Sequence, residues 1–271
     1  MCAAWFPPSA ATSTYSNRVS RIGAAAQADR SGSEQVIYLP AEGSVPCRID
    51  IGSLATVQFE HVRPVRSASS YKGQKNYIGE WWCATTTGLI AFESWTERDF
   101  LISADYDRGV IGISVQPFTF QYYSRRKRKL REHTPDVFLR LRDGTARVID
   151  VRPDQLIDED AAESFAATRS LCGQVGWQYR RVGDLPEVLL ANLRWLAGYR
   201  NKRVRNDTVA TRITDTLQQL GSAPIGELAD TIGERILVLP TLYHLMWAHE
   251  VYFDIARSLL NAKSIVRAAV S

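Results

Sequence analysis

The 271-residue chain lacks the features that would assign it to a membrane, secreted or zinc-binding class. Its four cysteines are scattered and form no CxxC pair, which argues against structural zinc and a disulfide framework and fits a reducing compartment. The apolar run from Ile236 to Trp247 is broken by Pro240 and His244 and is too short to span a bilayer. The first residues show no basic region followed by an apolar stretch, so export is not expected. These absences predict a cytoplasmic protein that does not act in a membrane.

The composition is that of a globular protein with a mild basic bias. Hydrophobic residues make up 45% of the chain and charged residues 23%. The net charge is +4 and the pI about 8.9. A balance of this kind permits nucleic-acid binding without requiring it. The length allows one large domain or two ordinary ones, each with a sizeable core.

The pattern of residues predicts three regions. Residues 1–34 are rich in alanine, serine and small polar residues without periodicity, which is typical of a flexible arm. Residues 35–200 alternate strand and helix patterns and predict an α/β domain with a mixed central sheet. Residues 201–271 predict three helices and a hairpin between Val251–Ile255 and Ser264–Ala268, a winged-helix-like arrangement. In its third helix, Leu239 to His249, Pro240 is expected in the first turn, where proline is tolerated.

The stretch from Glu93 to Pro153 contains the residues that are candidates for chemistry. Glu97 lies in an amphipathic helical pattern, and Asp136 opens a strand pattern that ends at the hairpin signal Asp143-Gly144. The returning strand carries Asp150 and Arg152, which are two residues apart and therefore project from the same face. If Asp136 lies at the start of the paired strand, carboxylates and a cation converge at one end of the sheet.

These residue types suit metal-dependent phosphodiester chemistry. Carboxylate oxygens are the ligands that Mg²⁺ prefers, and a metal held in this way activates a water. A neighbouring cation helps to bind the phosphate. Each residue also has a structural alternative. Glu97 forms a capping box with Ser94, Asp136 follows a proline as turn residues do, and Asp150 with Arg152 would make a surface ion pair of little energetic value.

A set of sequence motifs makes the chain recognisable. They lie between Arg63 and the C-terminus and read YKGQKNYIGEWWCATT, ESWTERDF, SVQPF, HTPDVFLRLRDG, VIDVRP and RWLAGYR. On these motifs the chain resembles the TnsA family, the endonuclease subunit of heteromeric cut-and-paste transposases, and more specifically the TnsA-like subunits found in actinobacteria. The resemblance implies a restriction-endonuclease-like fold of the PD-(D/E)xK type for the domain at 35–200. It also implies that the winged-helix-like domain at 201–271 serves assembly.

The resemblance assigns roles to the candidate residues. Glu97, Asp136 and Asp150 match the metal-binding acidic positions of the family, with Mg²⁺ as the cofactor and Mn²⁺ as a substitute. Asp150 stands where some members carry glutamine, and Arg152 stands where the family usually carries lysine. Because a guanidinium is always charged, Arg152 can bind a phosphate but cannot accept a proton. The four residues Glu97, Asp136, Asp150 and Arg152 are therefore the predicted catalytic set.

Two basic segments are candidates for DNA contact. The first, between Arg63 and Lys75, is followed by Tyr77, Trp81 and Trp82, and basic and aromatic residues interleaved in this way suit a DNA backbone. It follows a run, Val57 to Val65, that alternates in the manner of a strand. The second is the hairpin tip SRRKRKLR at 124–131, where a solvated loop is the alternative. The predicted DNA-binding residues are Arg63, Arg66, Lys72, Lys75, Arg125, Arg126, Lys127, Arg128 and Lys129.

The leading hypothesis is a metal-dependent endonuclease that cuts the 5′, non-transferred strands at transposon ends. By the resemblance, its partners are double-stranded DNA, a DDE-type transposase subunit and an AAA-type ATPase regulator. A non-catalytic assembly or DNA-binding factor that retains the nuclease fold is the second hypothesis, and a stand-alone restriction or repair nuclease is the third.

Overall fold

The computed structural model describes residues 35–43, 45–66 and 77–269. The predicted flexible arm at 1–34 and the predicted DNA-binding residues Lys72 and Lys75 lie outside the described residues. The strands are β1 Gln35–Tyr38, β2 Cys47–Asp50, β3 Gly79–Cys83, β4 Gly88–Phe92, β5 Val110–Val115, β6 Thr119–Ser124, β7 Lys129–His133, β8 Val137–Leu141, β9 Ala146–Val151, β10 Gln178–Val182, β11 Ser222–Pro224, β12 Val251–Tyr252 and β13 Ile265–Ala268. The α-helices are α1 Trp95–Tyr106, α2 Glu159–Gln174, α3 Glu187–Ala197, α4 Asp207–Leu220, α5 Ile225–Ile232 and α6 Arg235–Trp247.

A mixed four-stranded sheet of order β10-β9-β8-β5 forms the centre of the α/β region. Strands β5, β8 and β9 are antiparallel neighbours, whereas β10 runs parallel to β9 after the connection through α2. The hairpin predicted at Asp143-Gly144 joins β8 to β9, and Gly144 has a φ of 84°, which glycine adopts without strain. The predicted mixed α/β architecture is confirmed in this region.

The two faces of the central sheet are buried against different layers. Val137 and Ile149 form a paired position on the face that shares a core with Phe100 and Leu101 of α1. The opposite face, with Phe138, belongs to a core shared with the second sheet, whose order is β2-β1-β6-β7. Because side chains alternate along a strand, each strand of the β8–β9 hairpin contributes to both cores.

The run from Val57 to Val65 is not a strand, so this prediction was wrong. Phe59 to His61 form a short 3-10 helix, and the Phe59 side chain is fully buried. Its ring contacts those of Phe118, Phe138 and Trp177 at centroid distances of 5.1, 5.6 and 5.6 Å. Tertiary packing of one aromatic side chain therefore overrides the local alternation of the segment.

The C-terminal segment contains α4, α5 and α6 followed by β12 and β13. A three-stranded sheet of order β11-β13-β12 also uses the short strand between α4 and α5, which the sequence patterns did not predict. Leu217, Leu228 and Leu242 are fully or almost fully buried in its core, which also includes Leu193 and Leu196 of α3. The expected domain boundary at residues 200 and 201 stays a prediction.

Helix α6 begins four residues earlier than predicted, which corrects the expected place of Pro240. The amides of Leu237 and Val238 bond to the Glu234 carbonyl, so the helix starts at Arg235 and Pro240 lies in its interior. Proline at this position removes the hydrogen bond to the carbonyl of Ile236, whose side chain is 78% exposed. The strand pattern predicted over Val251–Ile255 is also shorter, ending at Tyr252. Among the helices of the described residues, none is long and apolar enough to cross a membrane.

Gly112 in β5 lies where the central sheet packs closely against the 3-10 helix that contains Glu60. A Cβ at this position would lie 2.7 Å from Cβ of Glu60, which forms an ion pair with Arg140 at 3.0 Å. We expect Gly112→Ala to lower the free energy of unfolding by about 1–3 kcal/mol, the usual cost of overpacking. The measurement is urea denaturation followed by circular dichroism.

The matched control is Gly173→Ala in α2, where an added Cβ meets no atom within 4 Å. Alanine is the better helix former, so this variant should be as stable as the unaltered chain or slightly more stable. Equal stability of both variants would contradict the close packing at Gly112.

Candidate functional site

Three carboxyl-bearing residues meet at one end of the central sheet. Glu97 lies in the first turn of α1, Asp136 directly precedes β8, and Asp150 is near the end of β9. The pairing of Val137 with Ile149 places Asp136 next to Asp150 across the hairpin. The backbone amide of Gln116, which follows β5, donates to the Asp136 carbonyl at 2.8 Å. The structure thus gathers the acids predicted from helix, strand and strand.

Glu97 forms the capping interactions that its sequence context predicts. Ser94 Oγ accepts from the Glu97 amide at 3.2 Å, and the Ser94 hydroxyl donates to Glu97 Oε1 at 3.1 Å. Glu97 Oε2 accepts from the backbone amide of Glu93 at 2.8 Å. Burial raises the pKa of the Glu97 carboxyl, and these hydrogen bonds act in the opposite direction. In this structure the Glu97 side chain therefore forms the capping box with Ser94 that was the structural alternative to metal binding. Glu97 remains near Asp136 while it does so.

Asp136 is partly buried and lies near the other two acids. Its Oδ2 accepts a hydrogen bond from the backbone amide of Val151 at 2.7 Å. At the end of the β8–β9 pair, this carboxylate oxygen takes the place of a main-chain carbonyl as the acceptor. Burial first, and then the negative charges of Asp150 and Glu97, raise the pKa of Asp136 well above its ordinary value. The Asp136 carboxyl therefore lies within electrostatic reach of both Asp150 and Glu97.

Asp150 is buried, with 1% of its surface exposed. His133 Nε2 lies 2.8 Å from its Oδ1, and the Tyr179 hydroxyl donates to its Oδ2 at 2.9 Å. Burial and the Asp150 charge raise the pKa of Tyr179, so the phenol remains a proton donor. The alternative of a solvated ion pair with Arg152 was wrong, because Asp150 faces the interior between the two sheets. The sequence motif HTPD contains His133, but no local pattern indicated its contact with Asp150, and Tyr179 gave no signal.

Arg152 is exposed and is engaged by the segment that follows it. Its Nε donates to the Leu156 carbonyl at 2.9 Å, while its backbone amide donates to the Val182 carbonyl at 2.8 Å. Within the described part of the chain, its guanidinium forms no ion pair with any of the three acids. Its position next to the strand end leaves it available to a ligand that approaches from solvent.

Arg66, which was predicted to contact DNA, lies beside the acids. Its Nη2 is 3.2 Å from Oε2 of Glu93, whose Oε1 accepts from Gln116 Nε2 at 3.0 Å. The Arg66 charge acts to lower the pKa of both Glu97 and Asp136, although burial outweighs it. A cation of the protein thus offsets part of the negative charge at the sheet end.

The other predicted DNA-binding residues differ in the contacts that they make with the rest of the protein. Arg63 donates to the carbonyls of Pro40 and Gly43 and so holds the loop after β1. Arg126 and Lys127 at the hairpin tip form ion pairs with Asp160 at the start of α2. All five residues from Arg125 to Lys129 are exposed. Arg126 and Lys127 therefore tie the hairpin tip to the start of α2. Contact between the tip and DNA stays a prediction.

The tryptophans that follow the first basic segment take part in packing. Trp81 Nε1 donates to Oδ2 of the buried Asp105 at 3.3 Å. The Arg200 guanidinium lies 3.8 Å from the centre of the Trp81 ring and donates to the Trp82 carbonyl at 2.7 Å. Trp81 is thus engaged in contacts within the protein.

The donor set at the sheet end fits a hard divalent cation in its chemistry. Across residues 35–43, 45–66 and 77–269, no three His, Cys, Asp or Glu side chains stand grouped around a point that could hold a metal ion. The three acids offer only oxygen ligands, and each carboxylate oxygen can accept a second interaction beside the hydrogen bond that it already makes. Burial raises the pKa of Asp136 most, and the negative charges of Asp150 and Glu97 add to this effect; a cation would offset the second part.

Two comparisons with known proteins bear on this site. No curated protein sequence matches the chain. Residues 107–184 match the family model described as TnsA-like endonuclease N terminal. The matched segment runs from β5 to β10 and contains Asp136 and Asp150, whereas Glu97 lies before it. Residues 107–184 are therefore similar to the N-terminal domain of TnsA-like endonucleases, which confirms the resemblance to the TnsA family that the sequence motifs indicate.

Proposed function

We propose that the protein is a metal-dependent DNA endonuclease that cuts the 5′, non-transferred strands at the ends of a transposon. The observation that carries the proposal is the gathering of Glu97, Asp136 and Asp150 at one end of the central sheet. Two of these acids lie within the TnsA-like endonuclease segment. Cleavage of a phosphodiester requires negative charge to be neutralised and a water to be activated, and clustered carboxylates serve both needs by binding a cation.

The proposed cofactor is Mg²⁺, with Mn²⁺ able to substitute, held by Glu97, Asp136 and Asp150. Bound there, it would lower the pKa of a water and stabilise charge on a phosphate oxygen. The protein's own contribution is to fix the carboxylates. The Val151 amide orients Asp136, the capping interactions at the start of α1 orient Glu97, and the side chains of His133 and Tyr179 orient Asp150.

Arginines at the sheet end supply the positive charge that a DNA backbone needs. Arg152 is exposed beside β9, and we assign it to binding the phosphate, since a guanidinium does not accept a proton. Arg66 also lies near the acids, next to Glu93. The exposed cations Arg125, Arg128 and Lys129 on the β6–β7 hairpin extend the same proposal to the neighbouring backbone.

The C-terminal segment is proposed to be a winged-helix-like assembly domain. Its element order supports this proposal. Elements α4, β11, α5 and α6 are followed by β12 and β13, which pair antiparallel in the sheet of order β11-β13-β12. Beyond Arg235, helix α6 lacks the arginine, lysine, asparagine and glutamine side chains that read base edges. We therefore propose cytoplasmic protein partners for this domain: a DDE-type transposase subunit and an AAA-type ATPase regulator.

A non-catalytic assembly factor is the second candidate. It is favoured by the arginine at position 152 and by the protein donors that already occupy the oxygens of Asp150. A stand-alone nuclease, the third possibility, would cut DNA without partner subunits.

Asp136→Ala tests the catalytic proposal directly. We expect 5′-strand cleavage at transposon ends, measured with partner subunits present, to fall by more than about 100-fold, because loss of an outer-shell partner alone costs 10–100-fold in metal sites. The control is Asp215→Ala, an exposed acid on α4. Assembly with the partners, measured by size-exclusion chromatography, should be unchanged in both variants. Unchanged cleavage by Asp136→Ala would instead support the assembly factor.

A second prediction concerns pH and the crowding of the carboxyl groups. The raised pKa of Asp136 means that the folded state holds its proton more tightly than the unfolded state does, so ionisation of this group costs stability as pH rises through the folded-state pKa. In metal-free buffer, Asp136→Asn should therefore be more stable than the unaltered chain at pH 8. The advantage should vanish below about pH 4, where the aspartate is protonated in both states.

Asp143→Asn provides a control of opposite sign. Hydrogen bonds from Thr145 hold the pKa of Asp143 below its ordinary value, so this group contributes stability at neutral pH that is lost as pH falls. The variant should be less stable than the unaltered chain at pH 8. Thermal unfolding at both pH values checks the pair, and a destabilised Asp136→Asn at pH 8 would contradict the crowding.

A further inference from the structure

Two aromatic rings at the start of α1 are stacked on one another and open to solvent. The centroids of the Tyr77 and Trp95 rings lie 4.2 Å apart, and the rings are within 13° of parallel. Tyr77 is 54% exposed and Trp95 is 47% exposed. Contiguous aromatic surface that stays in contact with water is unfavourable, so a pair of rings held open in this way indicates a surface that binds a ligand.

The stack is supported from below by a buried ring. The centroid of the Phe92 ring lies 6.3 Å from that of Tyr77 and 6.2 Å from that of Trp95, and Phe92 is only 4% exposed. Phe92 pairs with Gly79 in the β3–β4 ladder, and a Cβ on Gly79 would lie 2.5 Å from Cζ of this ring. The glycine therefore leaves the space in which the supporting ring lies, two residues after Tyr77.

The Arg98 guanidinium holds Trp95 and is itself engaged. Its Cζ lies 4.2 Å from the centre of the Trp95 ring, and its Nη2 donates to Oδ1 of the buried Asp99 at 2.8 Å. Tyr77, the more exposed of the two stacked rings, is the part of the stack that a ligand meets. It offers an uncharged aromatic face, which suits another flat aromatic group better than a phosphate.

The stack lies beside the acids of the candidate site. Trp95 is the first residue of α1 and Glu97 the third, so their side chains leave the helix on different sides, since each residue turns about 100°. An α-helix with its side chains is about 10–12 Å wide, which places the stack roughly one helix width from the acids. Arg66 contacts Glu93, just before α1, and half of its side chain is exposed. A DNA strand whose phosphate reached the acids would bring a base of a neighbouring nucleotide to the stack.

We infer that Tyr77 and Trp95 form a stacking platform for an unpaired nucleobase of the DNA strand that reaches the acids. The inference rests on the proposed function. In a duplex the faces of each base are covered by its neighbours, so the platform is open only to a base that has left the duplex stack. Stacking on an aromatic ring tolerates any sequence, because every base has a π-face. The platform therefore favours a frayed or single-stranded end of DNA without reading its sequence.

Other roles for the two rings make different predictions. If the rings only join the start of β3 to α1, their loss lowers stability and leaves the affinity for DNA as it was. If they contact the DNA backbone, the affinities for paired and unpaired DNA fall together. If they contact a protein subunit, assembly weakens and the affinity for DNA does not change.

The test compares a blunt duplex with a forked duplex, in which the terminal bases of both strands are unpaired and include 2-aminopurine. Both probes are mixed with the full chain in the presence of a chelator, so that no cleavage occurs. The unaltered chain should bind the forked duplex more tightly, measured by fluorescence anisotropy, and should quench its 2-aminopurine. We expect Tyr77→Leu and Trp95→Leu to bind the forked duplex about 5–150-fold more weakly, the usual cost of losing one stacked base, and the blunt duplex equally well.

The chain provides a matched control in Tyr252, which is 46% exposed and lies 4.3 Å from the Arg267 guanidinium. It lines a cavity together with Tyr106, the last residue of α1, about 16 Å along the helix from Trp95. Tyr252→Leu should bind both probes as the unaltered chain does. Tyr77→Phe keeps the aromatic face and should also retain its affinity. Thermal unfolding verifies that each variant is folded.

Three results would overturn the inference. They are equal binding of the two probes by the unaltered chain, unchanged binding of the forked duplex by both leucine variants, and an equal loss for the blunt and the forked duplex. Failure of the unaltered chain to bind either probe would overturn it as well. The proposed function is judged separately, by 5′-strand cleavage with Asp136→Ala, and can therefore hold where this inference fails.

Discussion

Repulsion between carboxyl groups at the end of the central sheet is the constraint on which the candidate site depends. Asp136 adjoins Asp150 across the β8–β9 hairpin, and Glu97 approaches from the start of α1. Such an arrangement is unfavourable unless donors or cations compensate it. The protein supplies both: backbone amides for Asp136 and Glu97, two side-chain donors for Asp150, and the Arg66 charge nearby. The surrounding fold is therefore arranged to tolerate negative charge at one place.

The layers that cover the two faces of the central sheet hold these carboxyl groups in place. On one face, α1 packs through Phe100 and Leu101, which brings its first turn to the sheet end. On the other face, the second sheet packs through an aromatic cluster centred on Phe59 and Phe118. This second layer brings β7, and with it His133, against β9. The acids thus depend on both cores, and each core is built from the alternating side chains of the same two strands.

Much of the site could be predicted because its residues follow strong local signals. The hairpin at Asp143-Gly144 and the helix that begins after Ser94 are encoded by short-range chemistry, and they suffice to bring Asp136 and Asp150 together. The direction in which Asp150 points could not be predicted, because it depends on Tyr179, which lies 29 residues further along the chain. For the same reason the alternation around Phe59 predicts a strand, where the structure has a short 3-10 helix. Long-range packing decides these features, and such packing leaves no periodic pattern in the local sequence.

The core that α3 shares with the C-terminal helices has a consequence for how the chain can be divided. Leu193 and Leu196 lie before residue 200, yet their side chains are covered by the layer that α4, α5 and α6 build. A fragment that ended at Arg200 would expose these leucines to water and leave an apolar strip on its surface. The residues before position 200 and the segment that follows them therefore share one hydrophobic core.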